Sequence, residues 1–579
     1  MKKIISVFSL LSFVFNFSLA QTFTRADTLR GSNGPGRLWW NVTKYDLHLK
    51  FNFDDSSISG YNVISYNVIE KRHPDFFQID LQHPMVIDSV VLETGSKMPH
   101  LKNEKLSFTN EGNAWFVYLK NQALRPTTKH DINQIMMTSK NINKSPASEV
   151  NELSNLIVYY HGKPRIAKRA PWDGGFIWKR DKSGNPWVAV ACQGSGASLW
   201  YPCKDYLADE PDSAEMHLTA PSDLVTVSNG RMRNKKTNAD GTTTYDWAVV
   251  NPINNYGISF YLGKYVHFDE VYKGEKGNLT MDYWVLDSNL VKAKVHFEDA
   301  PKVMKAFEYW FGPYPFYEDG YKLVDAPYLG MEHQSAVAYG NHYEMGYSGK
   351  DLSETGWGLK WDFIIVHESA HEWFGNNITS KDLADMWIHE SFANYAEALF
   401  TEYYYGEKAA DEYVIGVRKK IRNDKPIIAH YGVNEEGSGD MYYKGGNMIH
   451  AIRQIINNDK RFRDILRGLN KFFYHQTVTT NQVEDFINQK SGINFSKVFD
   501  QYLRTVKIPT LEYKKVNGQI YYRWANCVEH FNMPLKIYDN NGKLIFIHPT
   551  PIFQKAPANI KKIKVDDNFY VDIKKFETD

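Results

Sequence analysis

The chain has 579 residues, 43% of them hydrophobic and 15% aromatic, with 68 basic against 67 acidic side chains and a formal net charge of +1. That length exceeds a single core and predicts about three or four domains, while the balanced charge, with no basic run, argues against nucleic acid or an anionic membrane surface as a partner. Three cysteines, Cys192, Cys203 and Cys527, are too few for a disulfide framework, although an exported chain could bridge Cys192 to Cys203 and leave Cys527 over.

Residues 1–20 read differently from the rest. Lys2 and Lys3 precede a short apolar stretch, and Ser18-Leu19-Ala20 precede Gln21. This is the pattern of a secretory signal peptide cut before Gln21, which predicts a protein exported to the periplasm or the medium. The stretch is short and broken by serine and asparagine, unlike a membrane anchor. No cysteine follows the cut to carry a lipid, and no later segment is apolar enough to span a bilayer.

From about residue 37 the pattern is strand-like. Tyr45, Leu47, Leu49, Phe51 and Phe53 alternate with polar residues, as in a half-buried strand. Turn residues recur at short intervals to about residue 265, which predicts a large antiparallel β domain over 21–225, extending at most to about 265. Helical periodicity follows. One helix is expected to end at Gly312, and a buried helix runs from Trp361 to Phe374 and stops at Gly375. A third is expected from about Asp385 to Gly406, with Ile388, Phe392, Ala396, Leu399 and Tyr403 as its stripe. A fourth spans about Lys444 to Asn458. Helical patterning reaches Arg504, giving a mainly helical unit over 266–508, and short β segments after Pro509 predict a small β domain over 509–579. The fold class expected is therefore multidomain α+β.

Within the second helix, VHESAHEWFGN places His367 and His371 four residues apart. Residues i and i+4 share a helix face, so both imidazoles can meet one metal ion, with Glu368 beside whatever that metal binds. The pair alone does not decide the matter, since a buried helix carrying two polar residues is the other reading. A catalytic zinc usually has a third protein ligand and an open position. Glu390, eighteen residues beyond His371, can supply it from the third helix. Its neighbour His389 is the rival, pointing about a hundred degrees away around that helix.

His367-Glu368-x-x-His371 followed by Glu390 resembles the zinc signature of the gluzincin aminopeptidases, the family of aminopeptidase N and leukotriene hydrolase. Three further stretches resemble that family in its order. Gly330-Met331-Glu332-His333 is similar to its Gly-x-Met-Glu-Asn exopeptidase motif. Tyr442-Tyr443-Lys444-Gly445 is similar to its Tyr-x-Lys-Gly motif. The segment from Cys192 and Gln193 through Pro202-Cys203-Lys204-Asp205 is similar to its segment ending Pro-Cys-x-Asp. The resemblance covers about residues 37–510. It implies a saddle-like N-terminal β domain, a thermolysin-like zinc domain and a small C-terminal β domain. Two departures stand out at the site. His333 replaces Asn, where it could alter the wall of the first substrate pocket, and His389-Glu390-Ser391 replaces Asn-Glu-Gly. Only about 70 residues follow Pro509, where long members carry a large helical domain, so a more open cleft is expected.

The resemblance also implies roles. His367, His371 and Glu390 hold one zinc ion per chain, Glu368 is the general base, and the Tyr442 phenol stabilises the oxyanion. Glu332, with Gly330 and Met331 of its motif, recognises the free α-ammonium of a peptide, and Gln193 is a second contact by position. Alternatives stay open for several of these. Glu332 could pair with a structural cation, Tyr443 could act in place of Tyr442, and Gln193 could serve a turn. His333, His342 and His389 read as structural or pocket-lining. The expected activity is a zinc aminopeptidase acting on peptides with a free N-terminus. The rivals are an endopeptidase or epoxide hydrolase on the same site, and a non-catalytic peptide-binding homologue.

Overall fold

The computed structural model describes residues 22–95, 102–119 and 153–576; the expected signal peptide lies outside them. No helix among the described residues is long and apolar enough to cross a membrane.

Alternation builds the first layer. In strand Trp40–Asn52, Tyr45, Leu47, Leu49 and Phe51 are buried while Lys44, Asp46, His48 and Lys50 lie on the other face. The strand pairs antiparallel with Ser57–Val68 and parallel with Ser213–Pro221. These three lie inside a ten-stranded sheet running from Arg231–Thr237 at one edge to Phe76–Asp80 at the other. Its other described pairings are antiparallel. The parallel pair departs from an all-antiparallel reading because it joins segments some 160 residues apart, a relation no local periodicity encodes. A four-stranded sheet, which includes Pro186–Ala191 and Phe260–Gly263, shares one apolar core with the larger sheet. The bridge considered for Cys192 and Cys203 is not formed. Both thiols are free and buried in that core as small apolar groups, with Cys192 Sγ 3.3 Å from the Tyr256 carbonyl.

A five-stranded sheet follows, with Gly330–Met331 as its edge strand beside Val337–Tyr339. A second core packs this sheet against the helices. Helix Ala300–Phe311 ends at Gly312, whose φ of +96° suits glycine. The helix carrying the histidine pair is Phe363–Ala370, shorter than the Trp361–Phe374 expected. Asp362 caps its start, accepting from the N–H groups of Ile364 and Ile365 at 2.8 and 3.1 Å. At its end the N–H groups of Glu372 and Trp373 reach back three residues, to Ser369 and Ala370, so the last turn tightens and His371 becomes the C-cap. The two histidines remain one turn apart.

Helix Trp387–Tyr405 starts two residues later than expected, after a short turn at Leu383–Asp385. Helix Tyr443–Ile456 crosses it closely because its first turn carries two glycines, Gly445 and Gly446. A Cβ on Gly445 would stand 1.9 Å from Ser391 Oγ, and one on Gly446 would stand 2.4 Å from Asn394 Oδ1. The strands after Pro509, including Thr510–Val516 and Gln519–Ala525, place Leu511, Ile520 and Trp524 in the same core as the helices.

Candidate metal centre and active site

His367 and His371 leave one helix on the side that meets the first turn of the next, where Glu390 sits. Glu390 Oε2 lies 3.6 Å from His367 Nε2 and 3.5 Å from His371 Nε2. All three side chains are buried, and Glu390 Oε2 is enclosed without a hydrogen-bond partner. A buried carboxylate oxygen left bare is costly unless a cation meets it. Two imidazoles and one carboxylate, converging with their ligand atoms within 4.8 Å of one another, are a donor set that fits zinc.

The far side of each imidazole is fixed as well. His367 Nδ1 lies 2.8 Å from Glu397 Oε1, and the other Glu397 oxygen accepts from Tyr413 at 2.6 Å. His371 Nδ1 lies 2.9 Å from the Phe374 carbonyl, so it carries the proton and leaves the Nε2 lone pair towards Glu390. Burial pushes the His371 imidazole down to about 4, whereas at His367 the Glu390 and Glu397 carboxylates outweigh burial and raise the imidazole well above its ordinary value.

The rival ligand is occupied elsewhere. His389 Nε2 accepts from the Ser380 N–H at 2.8 Å and its Nδ1 is 3.5 Å from the Tyr256 hydroxyl. His342 is exposed on a loop. His333 is fully buried with Nδ1 2.6 Å from the Tyr261 hydroxyl, so it lies behind the cleft rather than in its wall. Of the two readings, structural or pocket-lining, His333 takes the structural one.

Glu368 faces a cleft of about 600 Å³ that holds the trio together with Gln193, Glu332 and Tyr442. Burial pushes the Glu368 carboxyl up to about 7. Gly330 must be glycine for this approach, since a Cβ there would stand 2.8 Å from Glu368 Oε1 and 2.8 Å from Ile364 Cγ2. Gly330 and Met331 line the same cleft and are paired on one side only, which leaves an open edge for an extended peptide.

Glu332 accepts from Gln193 Nε2 at 2.6 Å and from the Tyr256 hydroxyl at 3.1 Å. No lysine or arginine among the described residues pairs with it. Burial, reinforced by Glu368 and Glu390, holds its carboxyl well above the usual range. Gln193 Nε2 also lies 3.4 Å from Glu390 Oε1, so its amide protons face carboxylates and its carbonyl oxygen is left as an acceptor.

Tyr442 and Tyr443 both line the cleft. The Tyr442 ring lies 5.9 Å from that of His367, and burial together with Glu390 and other site carboxylates keeps its phenol protonated. The carboxylate that adds most to burial at Tyr443 is instead Glu397, behind His367. Ser391, where the resembled family has Gly, donates to the Met441 carbonyl at 2.6 Å and so ties down the segment before Tyr442. Sequence reasoning missed Glu397 and Tyr256. Glu397 had a usable signal, since it lies seven residues after Glu390 and hence on the same face of one helix.

Residues 295–502 match the model of the peptidase family M1 domain. The chain is 22% identical over 302 residues to endoplasmic reticulum aminopeptidase 1 of Rattus norvegicus, which covers 50% of this chain and 32% of that protein. It is 21% identical over 402 residues to a probable aminopeptidase 2 of Sulfurisphaera tokodaii, covering 66% of this chain and 48% of that one. The matched stretch thus spans a third to a half of these relatives. Among solved structures, an M1 zinc metallopeptidase from Deinococcus radiodurans, bound to a Tyr-Ser-Ala substrate, aligns with a TM-score of 0.62 at 17% identity. That alignment covers 81% of this chain and 95% of the other, a likeness of fold.

Proposed function

We propose that this chain, which belongs to the gluzincin aminopeptidase family through its peptidase M1 domain, is a zinc aminopeptidase that removes single residues from the free N-termini of peptides. The observation that carries the reading is the position of Glu332. Its carboxylate, unmatched by any lysine or arginine among the described residues, lies in the same buried group as Glu368 and His371, with ligand atoms within 4.8 Å of one another. An α-ammonium docking there would supply the positive charge that lets this buried carboxyl ionise, so the site rewards a free N-terminus and disfavours mid-chain peptide.

His367, His371 and Glu390 would hold one zinc ion, which supplies the Lewis acidity that activates water and polarises a carbonyl. The remaining roles fall to the chain itself. Glu332 and the Gln193 carbonyl bind the α-ammonium, and the open edge of Gly330–Met331 orients the substrate main chain. Glu368 takes a proton from the attacking water and passes it to the leaving amine. The Tyr442 phenol donates to the oxygen that becomes negative. Export rests on the pattern of residues 1–20.

The test is hydrolysis of aminoacyl arylamides after chelation and after zinc is restored. Activity lost and regained with zinc, on free but not on N-acetylated substrates, is expected. Equal rates on both forms would indicate an endopeptidase, and no turnover at any zinc level would indicate a peptide-binding homologue.

A further inference from the structure

The cleft holds a carboxylate for which the catalytic reading has no task. Glu332, Glu368, Glu390 and Glu436 all line it, and no lysine or arginine does. The first three are assigned to the α-ammonium, the proton and the metal. Glu436 is exposed to the cleft and makes no salt bridge or side-chain hydrogen bond among the described residues. The cation that eases its charge, Lys425, donates instead to the main-chain carbonyl of Glu436 at 3.0 Å. Enclosure by the cleft walls, and then the Glu390 charge, push the Glu436 carboxyl up to about 7. A cation docked against it would hold it ionised.

Its place in the cleft follows from the contacts of its segment. Gln193 Nε2 donates to Glu332 at 2.6 Å, so this glutamine stands beside the bound α-ammonium. The carbonyl of the next residue, Gly194, accepts from the Asn434 amide at 3.5 Å and from Arg30, outside the cleft, at 3.0 Å. Asn434 also packs on Gly31, where a Cβ would stand 2.1 Å from the Asn434 backbone nitrogen. Residues 434–436 are thereby docked on the wall that carries Gln193 and Gly194. After Glu390, Glu436 is the charge that acts most strongly on the Tyr442 phenol. It stands, then, between the α-ammonium anchor and the reacting carbonyl, on the side of the first residue of a bound peptide.

We propose that Glu436 selects that first residue, its carboxylate pairing with the side-chain cation of an N-terminal arginine or lysine. This rests on the aminopeptidase reading and deepens it: Glu332 takes the α-ammonium and Glu436 the second positive charge. An acidic first residue would meet four carboxyl groups and no lysine or arginine in the lining, and is disfavoured.

The experiment compares arginyl and citrullinyl arylamides on the zinc-loaded full chain, a pair close in shape that differs in charge. In the wild type kcat/KM should favour arginine by about tenfold, the low end for a charge-assisted contact because the cleft is open to water. Glu436→Gln should bring that ratio close to one, whereas Glu332→Gln should lower both rates and keep the ratio. A second arm needs no turnover: calorimetric affinities of free L-arginine and L-citrulline should show the same preference and the same loss in Glu436→Gln. Turnover of both arylamides at similar rates in the wild type, or a preference that survives Glu436→Gln, would overturn the assignment and leave the aminopeptidase reading standing. Arginine-selective binding without turnover would overturn that reading and support Glu436, and neither turnover nor selective binding would overturn both.

Discussion

Glu397 stands behind His367, with its Oε1 2.8 Å from the imidazole Nδ1 and its Oε2 held by the Tyr413 hydroxyl at 2.6 Å. The carboxylate fixes the tautomer and orientation of a ligand without facing the cleft, so Glu397→Gln should weaken zinc binding by about 10–100-fold. At saturating zinc, much of the activity should return. Titration in zinc buffers checks this, and an unchanged affinity would remove Glu397 from the account.

Glu368 has the opposite signature. Glu368→Gln should keep zinc affinity near that of the wild type while lowering kcat by about 10²–10⁴-fold, because it removes the proton acceptor and no ligand. Metal content measured beside steady-state kinetics separates the two effects.

Glu332 should control selectivity. Replacing it with Gln removes a charge-assisted contact of about 1.5–3 kcal/mol, so kcat/KM on free aminoacyl substrates should fall about 10–100-fold. Rates on N-acetylated substrates should fall less, which narrows the discrimination between the two.

Helix Tyr443–Ile456 depends on close approach. Gly445→Ala would place a Cβ 1.9 Å from Ser391 Oγ. It should cost about 1–3 kcal/mol of stability and lower kcat by moving Tyr442. Gly432→Ala meets no neighbouring atom within 4 Å and serves as a control for steric crowding, although its φ of +74° adds some backbone strain.

Lys444, the lysine of the Tyr-x-Lys-Gly stretch, donates to the Thr505 carbonyl at 2.8 Å. Burial pulls its ammonium down to about 8, against Asp440 and Asp424. Between that value and its ordinary 10.5 the unfolded chain binds more protons than the folded one, so the stability due to Lys444 rises with pH across the window. Lys444→Met should cost about 1.5–3 kcal/mol near neutrality, and its cost should grow towards alkaline pH. Urea midpoints of both proteins at the two ends of the window give the sign, and a shrinking difference would contradict it.

Much of the candidate site's geometry was legible because helical spacing is local. His367 and His371 share a face by arithmetic, and the rival His389 falls away because a helix turns it towards Ser380. Glu390 needed two helices to pack, and the family pattern supplied that step. Other features depend on contacts between distant segments. The helix of the pair was read too long because its apolar run continues past both ends, whereas the Asp362 cap and the tightened last turn set its limits. His333 could be read as structural or pocket-lining from its place beside Glu332, and the choice is made by Tyr261, far away in sequence, which draws it into the core. The parallel pairing of Trp40–Asn52 with Ser213–Pro221 has no local signal.

The central claim is that Glu332 sets the cut one residue from a free N-terminus. The most direct measurement is mass spectrometry of the products formed by the zinc-loaded protein from an unmodified peptide and from its N-acetylated twin. The account predicts stepwise loss of single N-terminal residues from the first and an intact second peptide. Internal fragments from both peptides would contradict it.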